Sequence, residues 1–590
     1  MQSETGNCQN CKNDFVIDSE DFNFYQKINV PPPTFCPECC LQRRIMFRNE
    51  RTLYRRKNNF PGNENEEIVS IHRPNSNYTI YDDRNWWSDA WDPMDYGKDY
   101  DFSKPFFKQF KELYEKIPLI NLSITNMVNC KYCNVAEGDK NSFMISASNR
   151  NEDCMYGNRM TENKQSLETY IGTRNELGYE LINSSNNFKV FWSSHVYECA
   201  DSMFLYNCKN CNDCIGCVNL RNASYRIFNK QYTREDYFKE KENLKLNTRS
   251  GLKSFKKIFK EFVENKIHKY AHNQRTVNSS GDNLENTSNV RNSFDINEAQ
   301  DCNRIIWGGY GLRDCVNIGP GIGIQSELLY DCFDTALQVS KCFWTGVVYH
   351  SYDVRYSINC HSSNHLFGCH GLRSKEYCIL NKQYTKEEYE ELLPKVIQHM
   401  NDVPYIDNQN RIFKYGEFFP YDISPFAYNE TIAQEYFPIS KEEALLKGWQ
   451  WYEYPDREYK PTINSEDLPE SISDVSESVI SEIIACPNKG LDTLGCTNAF
   501  IILKEELMFY KRLNIPLPTF CPNCRHFNRL KLRNPIKLWH RKCMCGSLGS
   551  PQVTGNHQHE GECKEEFETS YAPDRREIIY CEKCYQAEVY

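Results

Sequence analysis

Cys8-x-x-Cys11 and Cys36-x-x-Cys39 set two pairs of thiols in the spacing of a four-thiolate zinc site. Two such knuckles let four sulfurs close tetrahedrally on one ion, each at about 2.3 Å. The arrangement recurs near the other end. At a constant offset of 485, Phe24–Lys57 aligns with Phe509–Lys542 without a gap, with 16 identities in 34 positions. Cys521-x-x-Cys524 then stands where Cys36 and Cys39 stand, and Cys496 where Cys11 stands, so Cys486 must supply the fourth thiolate across a longer loop. A third group follows in Cys543, Cys545, Cys563, Cys581 and Cys584, with His557 and His559 nearby. Cys543, Cys563, Cys581 and Cys584 are the expected ligands, with Cys545 as the spare. The spacing therefore predicts three zinc ions per chain, one N-terminal and two C-terminal.

The N-terminal copy of that third group has lost its thiols. "RPNSNYTIYDDRN" aligns with "APDRREIIYCEKC", so Asp82 and Asn85 stand at the positions of Cys581 and Cys584, and Asn58 at that of Cys543. Asparagine is a poor zinc ligand, and the N-terminal second site is expected to be empty.

Each matching knuckle is followed by a basic stretch that reads as a helix starting at the Cys pair, a treble-clef-like order whose helix N-terminus favours thiolates. Arg43–Lys57 carries seven positive charges and one negative, and Arg525–Lys542 seven and none. Guanidinium groups bind phosphates bidentately, and the interleaved Phe47, Tyr54, Phe527 and Trp539 suit stacking on unpaired bases. Arg43, Arg44, Arg48, Arg51, Arg55, Arg529, Lys531, Arg533 and Arg541 are thus candidate contacts to RNA, DNA or a nucleoprotein. The competing expectation is that the arginines pair with the protein's own surplus acids, such as Glu466–Glu482. The chain carries a net charge of −10, so any nucleic-acid surface must be local.

Between the basic modules lies a second duplication. Asn207–Tyr237 aligns with Asn359–Tyr389 at an offset of 152, with 16 identities in 31 positions. Cys199, Cys208 and Cys217 are nine residues apart, as are Cys360, Cys369 and Cys378, among short runs of β-formers broken by Asn, Ser, Asp and Gly. Nine is half of an 18-residue rung, which predicts two β-solenoid-like blocks, about 121–230 and 292–382, with cysteines stacked inside. Cys208-x-x-Cys211-x-x-Cys214-x-x-Cys217 superficially resembles an iron–sulfur run, but Ser363 and Leu366 replace Cys211 and Cys214 in the other copy. His361, His365 and His370 form a candidate histidine cluster. "GGYGLRDCVNIGPGIGI" has the glycines of a phosphate loop without its Gly-Lys-Ser/Thr ending, so turns are expected there. Tyr232–Lys269 and Thr385–Met400 have helical spacing and are expected to close the two blocks. "KPFFKQFKELYEKIP" predicts a helix stopped by Pro118.

The chain as a whole resembles a family of uncharacterised zinc-ribbon proteins met mostly in genomes of uncultivated bacteria. The resemblance rests on "VPPPTFCPECCLQRRIMFRNERTLYRRK", "WWSDAWDPMDYG", "YCILNKQYTKEEYEELLPKVIQHM", "GEFFPYDISPFAYNETIAQEYFP" and "SYAPDRREIIYCEKCYQAEVY", which span nearly its full length. The family usually places a Cys-x-x-Cys before the tryptophan pair, and Asp82 and Asn85 depart from that. The resemblance implies an architecture and brings no established activity.

At 590 residues the chain exceeds one core. The expected fold is mixed, β-rich and multidomain: treble-clef or zinc-ribbon modules at both ends flank two duplicated β-solenoid-like blocks, each closed by a helix. The expected divisions are an N-terminal zinc module with a Trp-rich connector (1–100), a first block with closing helices (101–270), a second block (285–460), a flexible acidic linker (464–482) and a C-terminal double zinc module (483–590). No run of about 18 apolar residues and no basic-then-apolar leader is found, so a cytoplasmic protein without a membrane segment is expected, its 29 cysteines metal ligands or small core residues. No catalytic motif set is recognised. The leading expectation is a non-enzymatic, zinc-binding architectural protein that binds RNA or DNA through its two basic segments. The alternatives are an enzyme acting on a glycan or nucleotide in a groove between the blocks, and a self-assembling structural protein.

Overall fold

A computed structural model describes residues 2–321, 323–455, 459–491, 495–546, 559 and 561–589. His557 lies outside them. The chain divides into two compact units that it enters alternately: 1–122, 271–452 and 536–538 form one, and 123–270, 453–535 and 539–590 the other. The N-terminal module thus shares a unit with the second repeat block, and most of the C-terminal module shares one with the first. No helix among the described residues is long and apolar enough to cross a membrane.

Each unit contains a large, mostly parallel sheet, of eleven strands among the described residues. In the first, from Asn126 to Phe228, every third residue has a positive φ. Such a left-handed residue turns the chain and leaves two extended residues before the next turn. Asn and Asp, which adopt this conformation most readily after glycine, recur there, as at Asn141, Asp153, Asn207, Asn219 and Asn222. The residue after each turn points inward. Cys199, Ser202, Leu205, Cys208, Cys211, Cys214 and Cys217 are all buried in this way. Strands pair with the chain twelve residues further on, Tyr170 with Ile182, Phe188 with Ala200 and Ala200 with Asn212. The pairing repeat is therefore 12 residues, not the expected 18, and the nine-residue cysteine spacing is a multiple of the three-residue alternation rather than half a rung.

Small, aliphatic and hydrogen-bonded side chains share this interior, Leu181 and Leu205 among them. One inward row is a buried ladder: Asn187 Nδ2 donates to Asn175 Oδ1 at 2.8 Å, Asn175 to Asn163 at 2.9 Å, Asn163 to Asn151 at 3.1 Å, and Asn151 to the Asp139 carboxylate at 2.9 Å. Each amide satisfies its neighbour, which is what burial of a polar row requires. The second sheet, from Gln274 to Gln383, begins with an offset of 11 (Gln274 to Glu285), takes 12 at Gly281–Ser293, widens to 13 and 14 around Val316–Tyr330, and returns to 12 at Ser340–Tyr352. The glycine-rich stretch lies in the widened part, where residues 308–313 belong to strand Ser293–Arg313 and the next strand is Val316–Ile318.

Both sheets end in a short antiparallel pair followed by helices, Arg234–Asn243 and Arg249–Glu264 in one unit and Lys386–Asp402 in the other. The helix expected before Pro118 spans Phe106–Tyr114. The acidic stretch 464–482 is not a flexible linker. Leu468, Ile472, Val475 and Val479 sink into the same core as Phe255, Leu507 and Phe509, and Arg249 donates to the Ser465 carbonyl at 2.9 Å.

Candidate metal centres and arginine helices

The three predicted four-thiolate sets are brought together. In Cys8/Cys11/Cys36/Cys39, Cys486/Cys496/Cys521/Cys524 and Cys543/Cys563/Cys581/Cys584 the sulfurs all lie within 4.8 Å of one another. Sulfurs bound tetrahedrally at about 2.3 Å stand about 3.8 Å apart. The separations of 3.7 Å for Cys11–Cys36, 3.9 Å for Cys486–Cys524 and Cys496–Cys521, and 4.0 Å for Cys563–Cys581 match that edge. The donor sets therefore fit zinc.

Local backbone chemistry places the ligands in the same way each time. Cys36 and Cys521 are N-caps of helices Pro37–Ile45 and Pro522–Leu530, with proline at the first helical position, and Cys581 precedes helix Glu582–Val589. The unsatisfied amides of a helix start favour thiolate. The backbone N–H of the same cysteine donates to the first sulfur of each set: Cys36 to Cys8 at 3.2 Å, Cys521 to Cys486 at 3.4 Å, Cys581 to Cys543 at 3.2 Å. A side chain also approaches the last sulfur: Asn10 Nδ2 donates to Cys39 at 3.3 Å, Asn488 Nδ2 to Cys524 at 3.1 Å, and His559 Nε2 lies 3.2 Å from Cys584. Each set holds at least one thiol below its ordinary pKa, chiefly through a neighbouring thiol: Cys8 by Cys36, Cys521 and Cys496, the latter lowered to about 6, by Cys486, and Cys581, lowered to about 5, by Cys543. Asn10 and Asn488 were not singled out by sequence, although each lies within two residues of the first cysteine of its set.

At the N-terminal second site the three replacing residues meet. Asn58 Nδ2 donates to Asp82 Oδ1 at 2.9 Å, and Asn85 Nδ2 donates to the same oxygen. Asn58 and Asp82 are buried, and no metal-binding group is found there among the described residues. The same is true of the Cys208–Cys217 run. Its thiols donate to backbone carbonyls, such as Cys208 to Cys217 O at 3.6 Å and Cys214 to Ala223 O at 3.6 Å, rather than converging on an ion.

The basic segments correct the sequence reading. Neither is one long helix. Helix Pro37–Ile45 is followed by strand Tyr54–Lys57, and helix Pro522–Leu530 by strand Trp539–Lys542. Arg43, Arg44, Arg48 and Arg529 are buried, so phosphate cannot reach them. Arg43 lies 3.2 Å from Glu417 and stacks 4.1 Å over the Phe35 ring. Arg44 pairs with Asp331, and Arg48 lies 2.7 Å from Glu50 and 2.8 Å from Asp334. In the other unit Glu168 pairs with both Arg525 and Arg529, while Arg525 lies 3.3 Å from Glu506. Tyr156 and Tyr510 donate to Glu506 at 3.0 and 2.9 Å, and burial pushes that carboxyl up against the pull of Arg525. Arg51 lies 3.5 Å from Glu435, Arg533 stacks 5.1 Å over Tyr170, and Arg541 donates to the Ala572 carbonyl at 3.2 Å. Arg55, 3.8 Å from Glu67, and Lys531 are exposed. Lys57, Lys537 and Lys542 of the same segments are exposed as well, so the cations left at the surface are mostly lysines rather than the arginines singled out.

The arginines do pair with the protein's own acids, but not with 466–482. Arg44 and Arg529 are equivalent at the offset of 485, and their partners Asp331 and Glu168 both occupy positive-φ turn positions of a parallel sheet. Asp21 and Glu506, buried acids at the same offset, were a sequence signal for this; Asp21 lies 2.9 Å from Arg304.

The three histidines do not form one site. His361 and His370 are buried, His361 against Trp87 and His370 against Tyr114, and burial lowers each pKa to about 3. His365 is partly exposed, with Nδ1 3.0 Å from Asp353 and its ring stacked on Tyr377 at 4.9 Å. No protein-family model and no curated protein matches the chain.

Proposed function

We propose that the protein is a non-enzymatic, zinc-stapled scaffold, in which metal-folded modules at the two ends each fix a solenoid-like body. The observation that carries this reading is the shared geometry of the two arginine helices. Each begins at a ligand pair, Cys36/Cys39 or Cys521/Cys524, and ends with arginines sunk onto carboxylates of a parallel sheet, Arg44 on Asp331 and Arg529 on Glu168. Metal binding orders the helix start, and the helix delivers the guanidinium groups to acids that would otherwise be buried unpaired, which is costly. Zinc removal tests this. Chelated protein is expected to lose hydrogen-exchange protection at 156–170 and 319–334 together with the metal, whereas unchanged protection in zinc-free protein overturns the reading.

One observation favours a second reading, a hydrolytic site on the second sheet. Asp353 holds His365 through Nδ1 and leaves Nε2 for a substrate proton, among Tyr352 and Tyr377. Glycan or nucleotide turnover that disappears in His365→Ala would support it, and its absence in wild-type protein removes it.

A further inference from the structure

Among the described residues, the third four-thiolate set has further metal donors beside it. The Cys545 sulfur, a His559 ring nitrogen and the Cys584 sulfur lie within 4.8 Å of one another. Cys545 is fully buried, and His559 Nε2 stands 3.2 Å from the Cys584 sulfur. Cys584 therefore belongs to two donor groups at once, one with Cys543, Cys563 and Cys581 and one with Cys545 and His559. A thiolate sulfur has lone pairs enough to bind two divalent ions.

We propose that the C-terminal module holds two zinc ions bridged by the Cys584 sulfur: one bound by Cys543, Cys563, Cys581 and Cys584, the other by Cys545, His559 and Cys584. The inference rests on the reading that the third four-thiolate set binds zinc. The donor types support the second ion, since thiolate and imidazole are both zinc ligands. Two sulfurs and one nitrogen leave a tetrahedral position open, the arrangement that accepts water or another small donor, in contrast to the closed four-thiolate sets. The chemical class of that ligand is a small borderline donor such as a thiolate, an imidazole or water.

The competing role for His559 is that of Asn10 and Asn488, an N–H donor to the last sulfur of a set. His559→Asn separates the two, since asparagine keeps the donor and does not ligate zinc. Zinc per full-length chain, counted by elemental analysis and native mass spectrometry, is expected to be four in wild type and three in both His559→Asn and Cys545→Ser. Three in wild type and in both variants overturns the bridged pair and leaves the earlier reading standing. Fewer than three in wild type overturns both. Cobalt-substituted wild-type protein gives a second measurement that needs no variant to fold. Added 2-mercaptoethanol is expected to shift the visible spectrum of one ion per chain, and a spectrum that does not move overturns the open site.

Discussion

The N-terminal and C-terminal modules bring the same short strand to the same kind of partner, but they secure it by different chemistry. In the C-terminal module, Ile578–Tyr580 pairs in parallel with Ile267–Lys269 and runs directly into the ligand Cys581. In the N-terminal module, Ile80–Tyr81 pairs in parallel with Leu119–Ile120 and runs into Asp82, where two asparagine amides take the place of a metal. A structural zinc site contributes roughly 10–16 kcal/mol to folding, whereas a hydrogen bond contributes about 0.5–1.5 kcal/mol net. The comparison teaches that the same path of the chain forms with a thiolate set at one end and with hydrogen-bonded amides at the other.

The largest difference should therefore appear on metal removal. Chelation, or Cys581→Ser, is expected to raise hydrogen exchange at Ile267–Lys269 by orders of magnitude more than at Leu119–Ile120. Equal loss at the two strands would break the comparison. Next in size are the buried carboxylates. Glu168→Gln leaves Arg525 and Arg529 short of their shared partner, and should cost about 3–5 kcal/mol in denaturant unfolding. Asp331→Asn takes the carboxylate from the buried Arg44 and should cost a similar amount.

Acid should separate the two units in a third way. His72, His361 and His370 all lie in the unit of the N-terminal module, and burial lowers each to about 3. The unfolded chain takes up these protons first. Stability is intact above the ordinary histidine value of about 6.5 and falls as pH drops from there towards 3, by about 2 kcal/mol per histidine at pH 5. In the other unit His540 is raised by Glu568 and Glu566, the opposite sense. Unfolding of the first unit ahead of the second at pH 5 with zinc still bound is the expected outcome, and simultaneous unfolding would count against it. Asn58→Ala should have the smallest effect, about 0.5–1.5 kcal/mol for one lost hydrogen bond, since Asn85 still donates to the same Asp82 oxygen, read as a shift in the denaturant midpoint.

The four-thiolate sets were legible because their chemistry and spacing are local and few other roles ask for them. Asn58, Asp82 and Asn85 stand in register with cysteines of the third set, and the fold brings them together. The arginines were not legible as anchors. Their charge is visible in the sequence, but Glu168, 361 residues from Arg529, becomes a partner only through the fold. The repeat length failed for a simpler reason: cysteines nine apart agree equally with half of 18 and with three steps of three, and only the backbone dihedrals decide. In 464–482 the acids dominate the composition and conceal Leu468, Ile472, Val475 and Val479, the residues that hold the segment down.

The turn at every third residue gives the first sheet a reading frame. Inserting one or two residues throws every later inward side chain out of phase, whereas adding or removing twelve restores both the inward set and the strand partners. The second sheet records such slips, its offset passing from 11 through 12 to 13 and 14 before returning to 12. A sheet of this kind can therefore lengthen or shorten by whole twelve-residue turns without redesigning the modules at the chain's ends.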